Sequence, residues 1–287
     1  MPTRQFAAID LGSNSFHMVL ARVTASDQIQ IIDRDKEYVR LGGGLDADRN
    51  LTPEVLQAAY ACLSRFSDRL EALPPEHVRC VGTNALRQAK NAHLLLEQGA
   101  SILGHPIEVI AGLEEARLIY EGAGLEVNQP GKRLIVDIGG GSTELILGDE
   151  IQAQALDSLY MGCVSWTQRF FPNGKVTAKR MEKAILAARR RLAHVMRRYR
   201  GQFQHAWGCS GTINALGRLT SQLASGKGAI TETALMEVAA RLIDTGSAKA
   251  SVEPDISPQR AEVLPGGLAI LTAVMHTLRI PIISPVG

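Results

Sequence analysis

Two segments of the chain carry the same arrangement of chemistry-bearing residues: AAIDLGSNSFHMVLARV at 7–23 and RLIVDIGGGSTELILG at 133–148. Aligning Asp10 with Asp137 also aligns Gly12 with Gly139 and Ser15 with Ser142, at one offset of 127 residues. Each segment reads as an apolar strand ending in Asp, a tight Gly/Ser turn and a second apolar strand. Glycines let the backbone come close to a ligand, and successive N–H groups in such a turn form a concave anion cradle to which the Ser hydroxyls add donors. An Asp beside a phosphate is repelled unless it holds a cation or orients water. Asp10 and Asp137 are therefore candidate metal ligands, and two facing cradles predict metal-assisted phosphoryl chemistry in a cleft. Two ordinary Gly-rich hairpins are the alternative for either segment alone, and the repetition argues against it.

Further candidates lie between and after these turns. GLEEARLIYEG at 112–122 opens a helix with adjacent acids. Consecutive helical residues point about 100° apart, so Glu114 and Glu115 cannot both face one point. They serve either as N-terminal acids complementing the helix dipole or, for one of them, as a general base for water. VGTNALRQA at 81–89 ends a strand in Gly-Thr-Asn and puts Arg87 one turn into a helix, as a surface ion pair or a bidentate phosphate clamp. WGCSGTINAL at 207–216 repeats the strand, Ser-Gly-Thr and helix order, and helix N-termini bind anions readily. LPGGLAIL at 264–271 sets two glycines in a helical pattern, as tight packing or as a ligand wall. No P-loop, no G-x-G-x-x-G after a strand and no G-x-S-x-G nucleophile turn is present, which excludes those chemistries.

The elements that must position these residues alternate. Strand patterns recur at 29–32, 78–82, 107–111, 151–156, 206–208 and 282–283. Helical patterns fall between them. Thr52 and Pro53 open one whose Leu56, Ala59, Leu63, Phe66 and Leu70 share a face and which ends before Pro74-Pro75. Others cover 91–98, 113–122, 162–171, 213–223, 231–245 and 258–278, with a loop at 224–228. This order means α/β. The polar stretch 126–132 is the best boundary, giving domains 1–125 and 126–287.

At 287 residues the chain has room for two buried cores, and 45% hydrophobic with 21% charged residues is the balance of a soluble globular protein. No apolar run reaches membrane-spanning length and the start lacks a secretory apolar core, so the cytoplasm is the expected location, compatible with peripheral membrane association. Cys62, Cys80, Cys163 and Cys209 are scattered, without a C-x-x-C pair, and read as buried thiols of a reduced protein. The seven dispersed His residues argue against zinc.

Net charge is only +2, but residues 175–200 hold ten Lys/Arg against one acid, Glu182. Met181, Ile185, Ala188, Leu192, Val195 and Tyr199 make one apolar stripe of a helix there, with Thr177 as a possible cap. The opposite face is basic. It is either a solvated face or a strip that attracts a polyanion, and no zinc finger or aromatic-interleaved RNA motif accompanies it.

In order along the chain, DLGSNSFHMVLARV, VGTNALRQA, EEARLIYEG, VDIGGGSTELILG, MGCVSW, SGTINAL and LPGGLAIL resemble the exopolyphosphatase and guanosine pentaphosphate phosphatase family. The likeness runs from about Phe6 to the last residue. It implies membership of the actin, sugar kinase and Hsp70 superfamily, an α/β fold of two ribonuclease-H-like domains around an interdomain cleft. By this resemblance Glu115 matches the catalytic base, and Asp137 and Glu144 match the acids of a Mg²⁺ site. Ser13, Asn14 and Ser15 match the first phosphate loop, and Gly139, Gly140, Gly141 and Ser142 the second. Arg87 matches a phosphate-contacting Arg, and Ser210, Gly211 and Thr212 the third loop. The implied activity is hydrolysis of the terminal phosphoanhydride of inorganic polyphosphate. Removal of the 5′ γ-phosphate of guanosine pentaphosphate in the same cleft is the alternative. An ATP-dependent phosphotransferase or a non-catalytic polyphosphate or alarmone-binding module are less favoured. No nucleic-acid partner is expected, and a homodimer is compatible with the family. Family members continue past Pro-Val-Gly with an Ala-Leu-Arg-Glu-Gly-like segment and a helix that packs back on the first domain, and longer ones add an all-helical HD-like domain. Ending at Gly287, the sequence reads as a short or truncated form.

Overall fold

The computed structural model describes residues 4–24, 26, 28–127, 129–150, 152–223, 229–247 and 256–286. Ile151, expected to open a strand, and the loop expected at 224–228 lie outside the described residues. The chain forms two compact units, Met1–Ala111 and Gly112–Gly287.

The first unit is built on β1 (Arg4–Leu11), β2 (Phe16–Val23), β3 (Ile29–Glu37), α1 (Pro53–Ser67), β4 (Val78–Gly82), α2 (Asn84–Gln88), α3 (Ala92–Leu103) and β5 (Ile107–Val109). Its sheet runs β3-β2-β1-β4-β5, with β1 to β3 antiparallel and β4 and β5 parallel to β1. Because strand side chains alternate, Ala7, Ile9 and Leu11 of β1 turn into a core with α1 and α3, and Asp10 turns to the other face. Thr52 caps α1 by accepting from Val55 N, and Pro53 sits at its first position.

The second unit contains α4 (Gly112–Gly124), β6 (Arg133–Ile138), β7 (Thr143–Gly148), β8 (Ala153–Leu159), α5 (Cys163–Phe170), α6 (Ala178–Leu192), α7 (Met196–Tyr199), β9 (His205–Cys209), α8 (Ser210–Leu223), β10 (Ile230–Thr231), α9 (Glu232–Thr245), α10 (Pro258–Leu278) and β11 (Ile282–Pro285). Its sheet runs β10-β11-β9-β6-β7-β8. Leaving out the two-residue β10, this is the order of the first sheet, with β6, β7, β8, β9 and β11 in the places of β1 to β5. The repeat legible in two hairpins thus extends to two whole sheets.

The units divide after Ala111, earlier than the boundary expected after Leu125. The reason is packing: α4 buries Ala116, Tyr120 and Ala123 against Ile135 and Ile146 of the second sheet. The basic segment forms α6 and the short α7, with a break at 193–195, instead of one helix. Its apolar stripe survives the break, for Met181, Ala188, Leu192, Val195 and Tyr199 are all buried. Tyr199 Oη donates to the Leu145 carbonyl at 3.0 Å and pins α7 to the sheet. Thr177 caps α6 by accepting from Arg180 N at 3.3 Å. Among the described residues α10 alone has the length and apolar character of a membrane span, and 78% of that stretch is buried inside the fold as a core helix. Gly266 and Gly267 let it pack closely: a Cβ on Gly266 would stand 2.5 Å from the Cys163 carbonyl oxygen, and one on Gly267 would overlap Thr212. That accounts for LPGGLAIL as tight packing.

Candidate active site

In the second unit the pleat decides which side chains meet. Leu134, Val136 and Ile138 of β6 face the main core, so Ile135 and Asp137 face α4. On β7 the same alternation turns Glu144 and Ile146 to the α4 side, and the register sets Asp137 directly across from Glu144. Glu115 lies in the first turn of α4. Its charge acts on both acids. Burial first, then Glu115, pushes the Asp137 carboxyl up to about 7. Glu144, 1% exposed, is raised well above the usual carboxylate range by burial, Glu115 and Asp137, partly offset by Ser158 and Ser142. Ser158 Oγ donates to Glu144 Oε1 at 2.8 Å from the neighbouring strand β8.

The adjacent acid behaves otherwise. Glu114 accepts from Nε and Nη2 of Arg117, both at 2.8 Å, one turn along α4. The rotation between neighbouring helical residues separates the two: Glu114 is neutralised on the surface and Glu115 adds to the field at the buried acids.

The turn between β6 and β7 is closed by Gly139 N donating to the Ser142 carbonyl at 2.9 Å. Its own carbonyls are engaged by the start of α5: Cys163 N donates to Gly139 O at 2.8 Å, and Val164 N to Gly140 O at 2.9 Å. No backbone carbonyl among the described residues accepts from the amides of Gly140 and Gly141. The turn therefore presents donors, as an anion cradle requires. Gly162 makes this docking possible, since a Cβ there would overlap the Gly140 carbonyl and the Gly141 nitrogen.

The third loop follows β9, whose Cys209 pairs in register with Asp137. Burial, then Asp137 and Glu126, raise the Cys209 thiol and keep it protonated. Ser210 holds φ +86° and donates from Oγ to the Ile138 carbonyl at 3.0 Å. Thr212, 1% exposed, accepts from Arg260 Nη1 at 3.3 Å, and the Arg260 guanidinium lies where a Cβ on Gly211 would be.

In the first unit, the register puts Asp10 opposite His17, the position that Glu144 holds in the second. The first hairpin thus offers one carboxylate and an imidazole where the second offers two carboxylates. Ser13, Asn14 and Ser15 are all buried. Ser13 Oγ accepts from Ala85 N at 3.1 Å at the start of α2, and Ser15 Oγ lies 2.8 Å from His17 Nε2. The Nδ2 groups of Asn14 and Asn84 are buried and donate to nothing among the described residues. Arg87 donates from Nη1 to the Ile110 carbonyl at 2.8 Å. Within this unit Ser13 to Ser15 and the start of α2 come together, and Arg87 extends from the same short helix.

Ser158, Asn84, Gly162 and Arg260 were not singled out by sequence as site residues. Ser158 meets Glu144 only through the β7 to β8 register, which composition does not reveal. Asn84 and Gly162 stand inside motifs that were recognised, beside residues chosen for other reasons.

Among the described residues no three acidic, His or Cys side chains are gathered tightly enough to cage an ion alone. A Mg²⁺-type cation does not need such a cage, because it takes one or two carboxylates and completes its shell with water and phosphate oxygens. Asp137 and Glu144, disfavoured as anions by burial and by Glu115, suit that mode.

The raised pKa of Asp137 has a signed consequence for stability. Its folded value lies above the ordinary 3.8, so the folded chain binds the proton more tightly than the unfolded one between these limits. The resulting stabilisation is full below the ordinary value and is lost as pH rises through about 7. In chelator, Asp137→Asn is expected to be more stable than the native chain at about pH 8, by on the order of 3 kcal/mol, with the difference gone near pH 4. Thermal melts across that range check it.

A duplicated sheet of identical strand order, each copy with an Asp near the end of its first strand and a Gly/Ser turn after it, defines an α/β protein of two similar halves. Residues 19–286 match the Ppx/GppA phosphatase family, and the chain belongs to it. Similar proteins include a guanosine-5'-triphosphate,3'-diphosphate pyrophosphatase of Vibrio vulnificus, 41% identical over 98% of this chain and 56% of the relative. One of the same name from Aliivibrio fischeri is 40% identical with the same coverage. The chain thus spans 56% of the length of these curated relatives. Among solved structures, an exopolyphosphatase-like protein superposes with TM-score 0.88 at 27% identity, covering 99% of this chain and 94% of that one. An Aquifex aeolicus Ppx/GppA family member gives TM-score 0.80 at 23% identity over 100% and 95%, a likeness of fold.

Proposed function

We propose that the chain hydrolyses a terminal phosphoanhydride and that its substrate is guanosine pentaphosphate, from which it removes the 5′ γ-phosphate. The observation that carries the reaction type is Asp137 set across from Glu144 on the side of the sheet that α4, with Glu115 in its first turn, covers, beside a turn of donor amides. The substrate follows the named relatives, which favour pentaphosphate over the inorganic polyphosphate that sequence alone put first. Glu115 removes a proton from the attacking water. The amides of Gly140 and Gly141 hold the oxygens of the terminal phosphoryl group while Ser142 supports Glu144, and Ser210 to Thr212 line the same sheet end. Within the first unit Asn14, Ser15, Asn84 and Arg87 form their own group of donors suited to phosphate, beside Asp10. Asp137 and Glu144 would hold a Mg²⁺ ion, which would supply charge neutralisation at the reacting group. Such transition states are loose, so positioning and charge balance carry most of the acceleration. The expected setting is the cytoplasm.

Hydrolysis of inorganic polyphosphate is the second reading, favoured by the basic face of α6. Released phosphate, measured with Mg²⁺ on guanosine pentaphosphate, long-chain polyphosphate and ATP, separates the cases. Pentaphosphate is expected to exceed ATP in kcat/KM by about tenfold or more. A lead for polyphosphate favours the second reading, and a lead for ATP defeats both.

A further inference from the structure

A buried guanidinium holds the far end of α4. Arg133, the first residue of β6, is only 3% exposed. Its Nε donates to the Tyr120 hydroxyl at 3.1 Å, its Nη1 to the Val127 carbonyl at 3.0 Å and its Nη2 to the Asp149 carbonyl at 3.0 Å. These acceptors belong to α4, to the chain just past it and to the chain just past β7. The Tyr120 hydroxyl in turn donates to the Asp149 carbonyl, and the guanidinium lies over its ring, 5.3 Å from the centroid. Gly148 makes room for that hydroxyl, since a Cβ there would overlap it.

All three acceptors are neutral, and among the described residues no ion pair engages Arg133. Burying a charge without a counter-charge is costly, and an apolar side chain would fill the place more cheaply. What the guanidinium supplies is direction: a rigid fork of donors ties one helix and two chain segments together at fixed angles. The apolar seat of α4 does not supply it. Of the helix's buried residues, Ala116 and Ala123 are small and Tyr120 is the one large side chain. Alanines let a helix come close without fixing how it is turned. Glu115 precedes Tyr120 by five residues, about 7.5 Å along the axis. Over that arm a tilt of about 10° displaces it by about 1 Å, a shift that can cost a reacting group about 10²-fold in rate.

We propose that Tyr120 and Arg133 are positioning residues for hydrolysis: they lock the C-terminal end of α4 to its sheet and so set where Glu115 stands on the face that carries Asp137 and Glu144. This role rests on Glu115 acting as the base, so the lock is also read without hydrolysis, by hydrogen exchange on the whole chain.

Tyr120→Phe removes only the hydroxyl and keeps the ring in the core. With guanosine pentaphosphate and Mg²⁺ it is expected to lower kcat by about tenfold and to leave KM within about twofold. Arg133→Met is expected to lose at least as much, and Arg133→Lys, which keeps a donor without the fork, to recover part of the loss. In the Glu115→Gln background Tyr120→Phe should change kcat by less than about twofold, because the group being positioned is gone. In substrate-free protein the amides of α4 should exchange about tenfold faster in Tyr120→Phe, while those of α9 keep their native rates. Unchanged kcat in a folded variant overturns the role, as does a rise in KM alone or an equal loss of kcat in the Glu115→Gln background. Unchanged exchange along α4 overturns the lock whatever the kinetics. Faster exchange together with a fully active Glu115→Gln overturns the assignment of the base and leaves the lock standing.

Discussion

Glu115→Gln is expected to lower kcat by at least about 10²-fold while leaving substrate affinity nearly unchanged, the signature of a lost general base. The amide keeps the size of the side chain and removes its ability to accept a proton. Glu114→Gln is the matched control one residue away. Its carboxylate is already engaged by Arg117, so its loss should cost activity little. Steady-state kinetics of both variants check the contrast. Equal effects would mean that the start of α4 matters for folding or for general charge, and the assignment of the base would fall.

Asp137→Ala should abolish the dependence on divalent cation together with activity, by at least about 10²-fold. A Mg²⁺ site built from one or two carboxylates loses much of its affinity with one of them. Glu144 would be left with its serine partners and no second carboxylate opposite on β6. Phosphate release measured against Mg²⁺ concentration reads this directly. Undiminished activity of the native chain in excess chelator would contradict the metal role.

Much of the fold was legible because its signals are local. The two hairpins announced themselves by Asp, Gly and Ser at one offset, and the strands that follow them pair in one order in both sheets. The apolar pattern of β3 ends at Ile32, yet the strand runs to Glu37. Its second half, Asp33 to Glu37, is wholly polar and gives no apolar alternation: it lies on the edge strand, where Glu37 pairs with Arg65, and Asp33 and Asp35 with Arg69. The break between α6 and α7 is not legible in the sequence because the apolar stripe continues across it. The place of α4 was missed for a related reason: the polar stretch after it looks like a linker, while the contact that assigns the helix, Tyr120 and Ala116 on Ile135 and Ile146, is tertiary.

The candidate site divides in the same way. Helix geometry alone established that Glu114 and Glu115 diverge; which of them meets Asp137 depends on how α4 lies on the sheet. Pairing of Asp137 with Glu144 follows from hairpin register, whereas Ser158 requires a third strand. Asn84 carries no charge that marks it in the sequence, whereas Arg87, three residues on, does.

The central claim is that water attacks a terminal phosphoanhydride. Incubating the chain with guanosine pentaphosphate and Mg²⁺ in oxygen-isotope-labelled water, and following orthophosphate and nucleotide by mass spectrometry, tests it most directly. The account predicts a single labelled oxygen in the released orthophosphate and an unlabelled nucleotide product. Label in the nucleotide product, or passage of the phosphoryl group to another acceptor without release of orthophosphate, would contradict it.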